Sequence, residues 1–231
     1  MRYVALLMTV VGLVLAAACG GGGASGDATP IPTFPALIGG CEIGPGAECP
    51  GADLSGSDLS EIVAVRGRTT EIEIEMGLAR AKVDFTEANL RGANFSDAKL
   101  GGGRFWKADL RDTNFQLAGL TSASILDADA TGADFTGANL DAAALKNTNL
   151  TGADFTGASM KGTDLSGSNL TNAILIDAVL TTAFFTDADL TGADLTGANL
   201  AFAAMDGTIL DGVILCGTKM MDGKINNEGC P

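Results

Sequence analysis

From Phe85 onward every fifth residue is large and apolar: Phe85, Leu90, Phe95, Leu100, Phe105, Leu110, Phe115, Leu120 and Ile125, then through Phe135, Leu150, Phe155, Leu170, Phe185 and Leu200 to Met220. The register never slips over these 28 centres, of which only Ala130 is small. Two places before each centre stands a small residue, Ala at 19 of the 28 and otherwise Gly, Ser, Thr or Val. Asp or Asn usually lies between, and Thr or Ser and often Gly follow, as in Ala133-Asp134-Phe135-Thr136-Gly137. An amphipathic helix repeats at 3 and 4 residues and a strand alternates, so neither template fits a period of five. A unit with two inward residues describes a short strand followed by a turn, and four units make a square coil. The chain is therefore read as an all-β solenoid in which residues 20 apart lie directly above one another.

The unit, written A(D/N)LXX, resembles the pentapeptide repeat family over residues 83–222. That resemblance implies a right-handed quadrilateral parallel β-helix of about seven coils. In such a stack Phe95, Phe115, Phe135 and Phe155 form one internal column. Outside, Asp129, Asn149, Asn169 and Asp189 align beside Thr131, Thr151, Thr171 and Thr191. Acidic columns raise the question of cation sites, but no dense oxygen cluster of the kind Ca²⁺ requires is present, and a solvated repeat face is the plainer reading. No metal or cofactor is expected.

The flanks break the period. Residues 50–61 hold two further units, centred on Leu54 and Leu59, in a different phase. Residues 62–82 alternate in Glu71-Ile72-Glu73-Ile74-Glu75-Met76 and are read as a hairpin, the alternative being a degenerate coil with one extra residue. An open stack exposes unpaired strand edges, so 41–82 and 216–231 are read as caps at either end. Ile209 and Ile214 then become surface beneath the C-terminal cap. With the N-terminal cysteines at one end and the C-terminal pair at the other, a bridge needing Cα atoms about 5.5 to 6 Å apart links Cys41 with Cys49 and Cys216 with Cys230. The tail from Cys216 to Cys230 resembles a closing segment of exported pentapeptide proteins, although Met221 stands where Pro is usual. Four-cysteine metal binding is the alternative, disfavoured by the same separation.

Residues 1–18 carry Arg2, a mostly apolar stretch and small residues before Cys19, the layout of a secretory signal. Leu15-Ala16-Ala17-Ala18-Cys19 resembles the lipobox of bacterial lipoproteins, in which the cysteine is lipidated; an ordinary signal cut near Ala18 is the alternative. Residues 19–40, rich in Gly and spaced by Pro30, Pro32 and Pro35, read as a disordered tether. The expected location is the outer face of a bacterial membrane, with membrane lipid as partner through Cys19.

There are 28 acidic and 14 basic residues, a net charge of −14, and no His. Phosphate-backbone binding needs clustered Lys and Arg, so no nucleic-acid partner is expected. Without imidazole the Ser-His and Cys-His nucleophile systems are excluded, and the many Asp and Ser recur as repeat positions without converging. The reading is a non-enzymatic, membrane-tethered scaffold offering an acidic surface to an unidentified protein partner. Ile174, Ile176, Val179 and Phe184 stand where the repeat normally places polar residues and are the candidate interface, a degenerate repeat being the alternative. Some acidic pentapeptide proteins mimic a DNA duplex at a topoisomerase, a reading that export disfavours. Ice or surface binding by the Thr columns is a minor third.

Overall fold

The computed structural model describes residues 37–38, 41–42, 44–57 and 83–230. The signal, Cys19, most of the tether, Leu59 and the hairpin proposed for 62–82 lie outside them.

Within 83–220 each five-residue unit contributes one bridging residue, the one between the small position and the centre. These residues pair in parallel at steps of 20, from Asp84–Arg104 to Asn199–Lys219. Four sides result, whose bridges start at Asp84, Asn89, Asn94 and Lys99; they are called here the first to fourth sides. Every layer repeats one hydrogen-bond rule. The centre's N–H donates to the bridging carbonyl one coil up, as Phe115 does to Asp134 at 2.6 Å, and Asp134 N–H donates back to Thr113 at 2.9 Å.

The corners follow from the turn that joins two sides. Nearly every centre's carbonyl accepts the N–H three residues on, as Phe135 does from Ala138 at 2.9 Å. Within 83–220 positive φ falls only on the second residue after the centre, which is the requirement of a type II turn. Gly fills that place at 13 of the 27 corners from Glu87 to Gly217, and at Gly192 (φ 69°) an added Cβ would also meet Asn172 Oδ1 of the coil below at 2.5 Å. Leu117, Thr182 and Phe202 adopt the same left-handed conformation without being glycine.

The shaft is filled by the centres, with the Ala row lining it at near-zero exposure. On the third side Phe95, Phe115, Phe135 and Phe155 stack face to face at 5.2, 5.0 and 4.8 Å, nearly parallel. Phe85 and Phe105 on the opposite side present edges to that column, at 5.6 and 5.9 Å. Both geometries are favoured by the ring quadrupole. Where Thr replaces Ala inside, its hydroxyl finds a second lone pair on a turn carbonyl: Thr113 donates to Leu90, Thr163 to Leu140 and Thr218 to Leu195 at 2.7–2.9 Å. Among the described residues no buried side-chain polar atom is left without a partner.

Below the first coils, Glu48 and Asp53 bridge to Asn89 and Asn94. Ala47 and Cys49 are buried there as a small position and a centre, so Cys49 heads a repeat unit that its disulfide chemistry conceals in the sequence. β1 (Leu37–Ile38) and β2 (Cys41–Glu42) form a short antiparallel pair, and Cys41 is bonded to Cys49. At the other end β3 (Thr218–Lys219) pairs antiparallel with β4 (Ile225–Asn226), and Cys216 is bonded to Cys230. The returning tail crosses the fourth and third sides, where Leu215 N–H donates to Glu228 and Gly217 N–H to Asn227 Oδ1. Ile214 lies beneath Gly229. Ile209, on the second side, does not lie beneath the tail and is 46% exposed, because the tail turns back over only two of the four sides.

Phe135→Ala is expected to lower unfolding stability by about 3 to 5 kcal/mol, since it empties a stacked position at the middle of the shaft. Phe202→Gly is expected to raise it by about 1 kcal/mol, by removing a left-handed bulky residue that buries little. Urea denaturation of the two variants checks both signs.

Candidate interaction surface

The outward residues of each side are the bridging residue and the one after the centre. On the second side Thr131, Thr151, Thr171 and Thr191 donate their hydroxyls to the carboxylate or amide oxygen of Asp129, Asn149, Asn169 and Asp189 at 2.6–2.7 Å. Asn149 in turn reaches down to Asp129 and Thr131 at 3.2 and 2.9 Å. The Thr hydroxyl protons are therefore spent within the coil, which leaves them unavailable to a lattice of water. Among the described residues no group of three or more His, Cys, Asp or Glu is gathered as a metal site, and there is no helix long and apolar enough to cross a membrane.

Charge is distributed unevenly along the stack. In the lower coils acid and base alternate: Arg91 pairs with Asp112 at 3.2 Å, Arg111 bridges Asp109 and Asp129, and Lys146 meets Asp164 at 2.9 Å. Trp106 donates to Asp127 at 2.9 Å, with the Lys107 ammonium over its ring at 4.7 Å. Between Lys161 and Lys219 there is no Lys or Arg, but there are seven aspartates. Of these, Asp164 alone takes part in an ion pair among the described residues.

The four candidate interface residues occupy three sides of one coil. Ile174 and Ile176 lie on the third side, Val179 on the fourth and Phe184 on the first, opposite Ile174. They form a collar, and no single flat partner touches both Ile174 and Phe184. Ile174 and Phe184 are exposed, while Ile176 and Val179 are half-buried. The contiguous exposed apolar feature is instead an edge between the fourth and first sides. Phe184, 47% exposed, bridges to Ala204 in the next coil; Phe202, 79% exposed, stands at the corner two residues before Ala204; and Phe202 N–H donates to Met221 above it at 3.2 Å. Phe202 escapes the sequence reading because the eye follows centres and bridging positions. The available signal is a Phe in the corner column, where this chain otherwise places mostly Gly, Asp or Asn.

The pentapeptide-repeat model, eight copies, matches residues 81–106, 104–137, 133–172 and 173–212. The chain belongs to the pentapeptide repeat family. The fold of that family, a right-handed quadrilateral β-helix, is the one the 20-residue ladder describes. Among solved structures, it is similar to HetL, a pentapeptide repeat protein involved in heterocyst differentiation regulation from the cyanobacterium Nostoc sp. strain PCC 7120. The identity is 22% over 79% of this chain and 92% of that one, with a TM-score of 0.27. It is also similar to full-length QnrB1, a plasmid-mediated fluoroquinolone resistance protein, at 20% identity over 78% and 93%, with a TM-score of 0.38. The pentapeptide repeat protein Rfr23 from the cyanobacterium Cyanothece 51142 is 25% identical over 72% and 85%, with a TM-score of 0.27. No curated protein matches.

Several outward aspartates have carboxyls held below their ordinary range. For Asp109 the cause is chiefly the Arg111 guanidinium, and for Asp189 it is the Thr191 hydroxyl and amide. Burial works against the charge of Asp164, but hydrogen bonds from Lys146 and Ser166 outweigh it. A carboxyl lowered on folding contributes stability above its unfolded pKa and loses it as pH falls through the folded value. The melting temperature is therefore expected to be flat above about pH 5 and to drop below about pH 4. Asp109→Asn should melt lower than the parent at neutral pH and converge with it in acid, as followed by circular dichroism across the pH range.

Proposed function

We propose that this protein is a non-enzymatic scaffold, lipid-anchored through Cys19 at the outer face of a bacterial membrane, that presents an acidic β-helix to a protein partner. Residues 83–222 make seven coils, with 41–82 and 216–231 closing the two ends and 19–40 acting as the tether. The observation that carries the reading is the run from Asp177 to Asp211, whose carboxylates have no ion-pair partner among the described residues, over the same coils as the exposed Phe184 and Phe202. Uncompensated like charge costs a folded surface something, and an apolar edge rimmed by polar groups is the usual form of a contact site. The complement is a partner with basic residues around an apolar insertion. The membrane address rests on the lipobox-like segment ending at Cys19, since several acyl chains on one residue give stable attachment.

Two experiments test this. The parent protein is expected in the membrane fraction and Cys19→Ala in the soluble exported fraction; parent protein found in the cytosol would remove the address and favour mimicry of a DNA duplex instead. Crosslinking in the native envelope should capture a partner whose yield falls about tenfold or more with Phe184→Ser plus Phe202→Ser, the loss of about 1.4 kcal/mol or more of contact energy. Unchanged capture by a variant with parental circular dichroism would dismiss this edge as the contact.

A further inference from the structure

The disulfides Cys41–Cys49 and Cys216–Cys230 stand in opposite surroundings. Cys41 and Cys49 are 1% and 4% exposed, and Cys49 is a shaft residue whose N–H donates to Asn89 at 2.8 Å. A thiol from solvent reaches that bond only when the base of the stack opens. At the other end Cys216 is half-buried and Cys230 is exposed. The tail that Cys230 anchors has little else to hold it. From Met221 to Cys230 every residue is exposed except the half-buried Asn226, and the Ile225 side chain is wasted on solvent at 57% exposure. Beyond the β3–β4 hairpin, its hydrogen bonds to the end of the stack among the described residues run from Leu215 N–H to the Glu228 carbonyl at 2.9 Å and from Gly217 N–H to Asn227 Oδ1 at 3.1 Å. A segment that buries no apolar side chain opens readily once its crosslink is gone.

From this contrast we infer that Cys216–Cys230 is a thiol–disulfide exchange site, a latch that a dithiol reductant opens in the folded protein, while Cys41–Cys49 is a permanent brace. Exposed disulfides are the labile ones, and shielded structural ones resist reduction. A thiolate of the reductant attacks the exposed Sγ of Cys230. The bond between the two cysteines breaks, Cys216 leaves as a thiolate and takes up a proton, and a mixed disulfide joins Cys230 to the reductant. The second thiol of the reductant then attacks the reductant's own sulfur in that mixed disulfide, which releases Cys230 as a thiol and closes the reductant into a disulfide. One electron pair and a pair of protons have passed from the dithiol to the protein.

Opening the latch releases residues 222–230 and with them the cover over the third and fourth sides. Leu215 and Gly217 lose the acceptors of their N–H groups, and Leu215, 8% exposed in the latched form, comes to the surface. Met221, whose carbonyl accepts the Phe202 N–H at 3.2 Å, is the last residue before the released segment, so the aromatic edge loses its fixed neighbour. The coils below keep their ladder, because the Cys216 carbonyl still accepts the Gly197 N–H at 2.9 Å. The redox state of the surroundings therefore resets the end of the stack and leaves the shaft intact. This inference concerns the bond itself and stands without the membrane address or the protein partner.

The test uses the full chain, oxidised and folded, in detergent. Thiols free at the outset are blocked, dithiothreitol is added without denaturant, and samples are alkylated with light iodoacetamide, unfolded, fully reduced and alkylated with the heavy reagent. Peptide mass ratios should show Cys216 and Cys230 reduced about a hundredfold faster than Cys41 and Cys49. In the selectively reduced protein, hydrogen exchange at the Leu215 and Gly217 amides should quicken about tenfold or more, while the Phe135 and Phe155 amides stay protected. Cys216→Ser plus Cys230→Ser should show the same exchange with no reductant present; should that variant misfold, the selectively reduced parent gives the reading by itself. Equal reduction rates for the two pairs, or a reduced protein whose Leu215 and Gly217 amides remain as protected as in the oxidised one, would overturn the inference.

Discussion

The ladder of peptide groups between coils is the constraint on which the rest depends. Each side offers one bridging residue per layer, so every layer has few bonds with which to hold its place, and continuity comes from repeating the same three contacts at every step. That repetition is possible only if all coils have one circumference. A large residue and a small one, always in the same two places, fix the circumference, and the type II corner fixes the angle between sides. The stacked Phe column is thus a consequence of the backbone spacing as much as a cause of it: rings placed about 4.8 Å apart by the ladder are already at the separation flat aromatic faces prefer.

Much of this was legible in the letters. Phe95, Phe115, Phe135 and Phe155 announce their column because inward positions admit few residue types, and the cysteine pairings follow from their positions at the two ends. The residues that escaped notice do so for physical reasons. Cys49 serves the shaft and the disulfide together, and the covalent role masks the repeat role. Phe202 sits at a corner where backbone conformation, not side-chain burial, sets the ordinary choice of residue. Ile209 reads as covered surface only if the tail crosses the whole end, and the path of a tail is decided by its own turns, Asp222-Gly223 among them, and not by the period. The candidate interface was legible residue by residue but not as a surface, since four substitutions within one coil scatter over three sides.

Function on such a scaffold is written in departures from the repeat. The lower coils offset much of their charge within and between layers, with ten acids against seven bases over residues 83–161, and exposed pairs of that kind stabilise little. The upper coils abandon the balance. An acidic stretch and an aromatic edge then succeed one another over the last three coils, at the end remote from Cys49.

Because side and layer are both counted along the chain, the repeat behaves as a spatial reading frame. Loss or gain of 20 residues would lengthen or shorten the stack and keep every column aligned. Loss of five outside the Phe column would keep a centre at every inward position, yet would rotate all downstream surface by a quarter turn relative to what precedes it. A protein built this way can swing its aromatic edge to a new bearing by one small deletion, with no change to a single side chain that makes contact and little change in the stability of the whole.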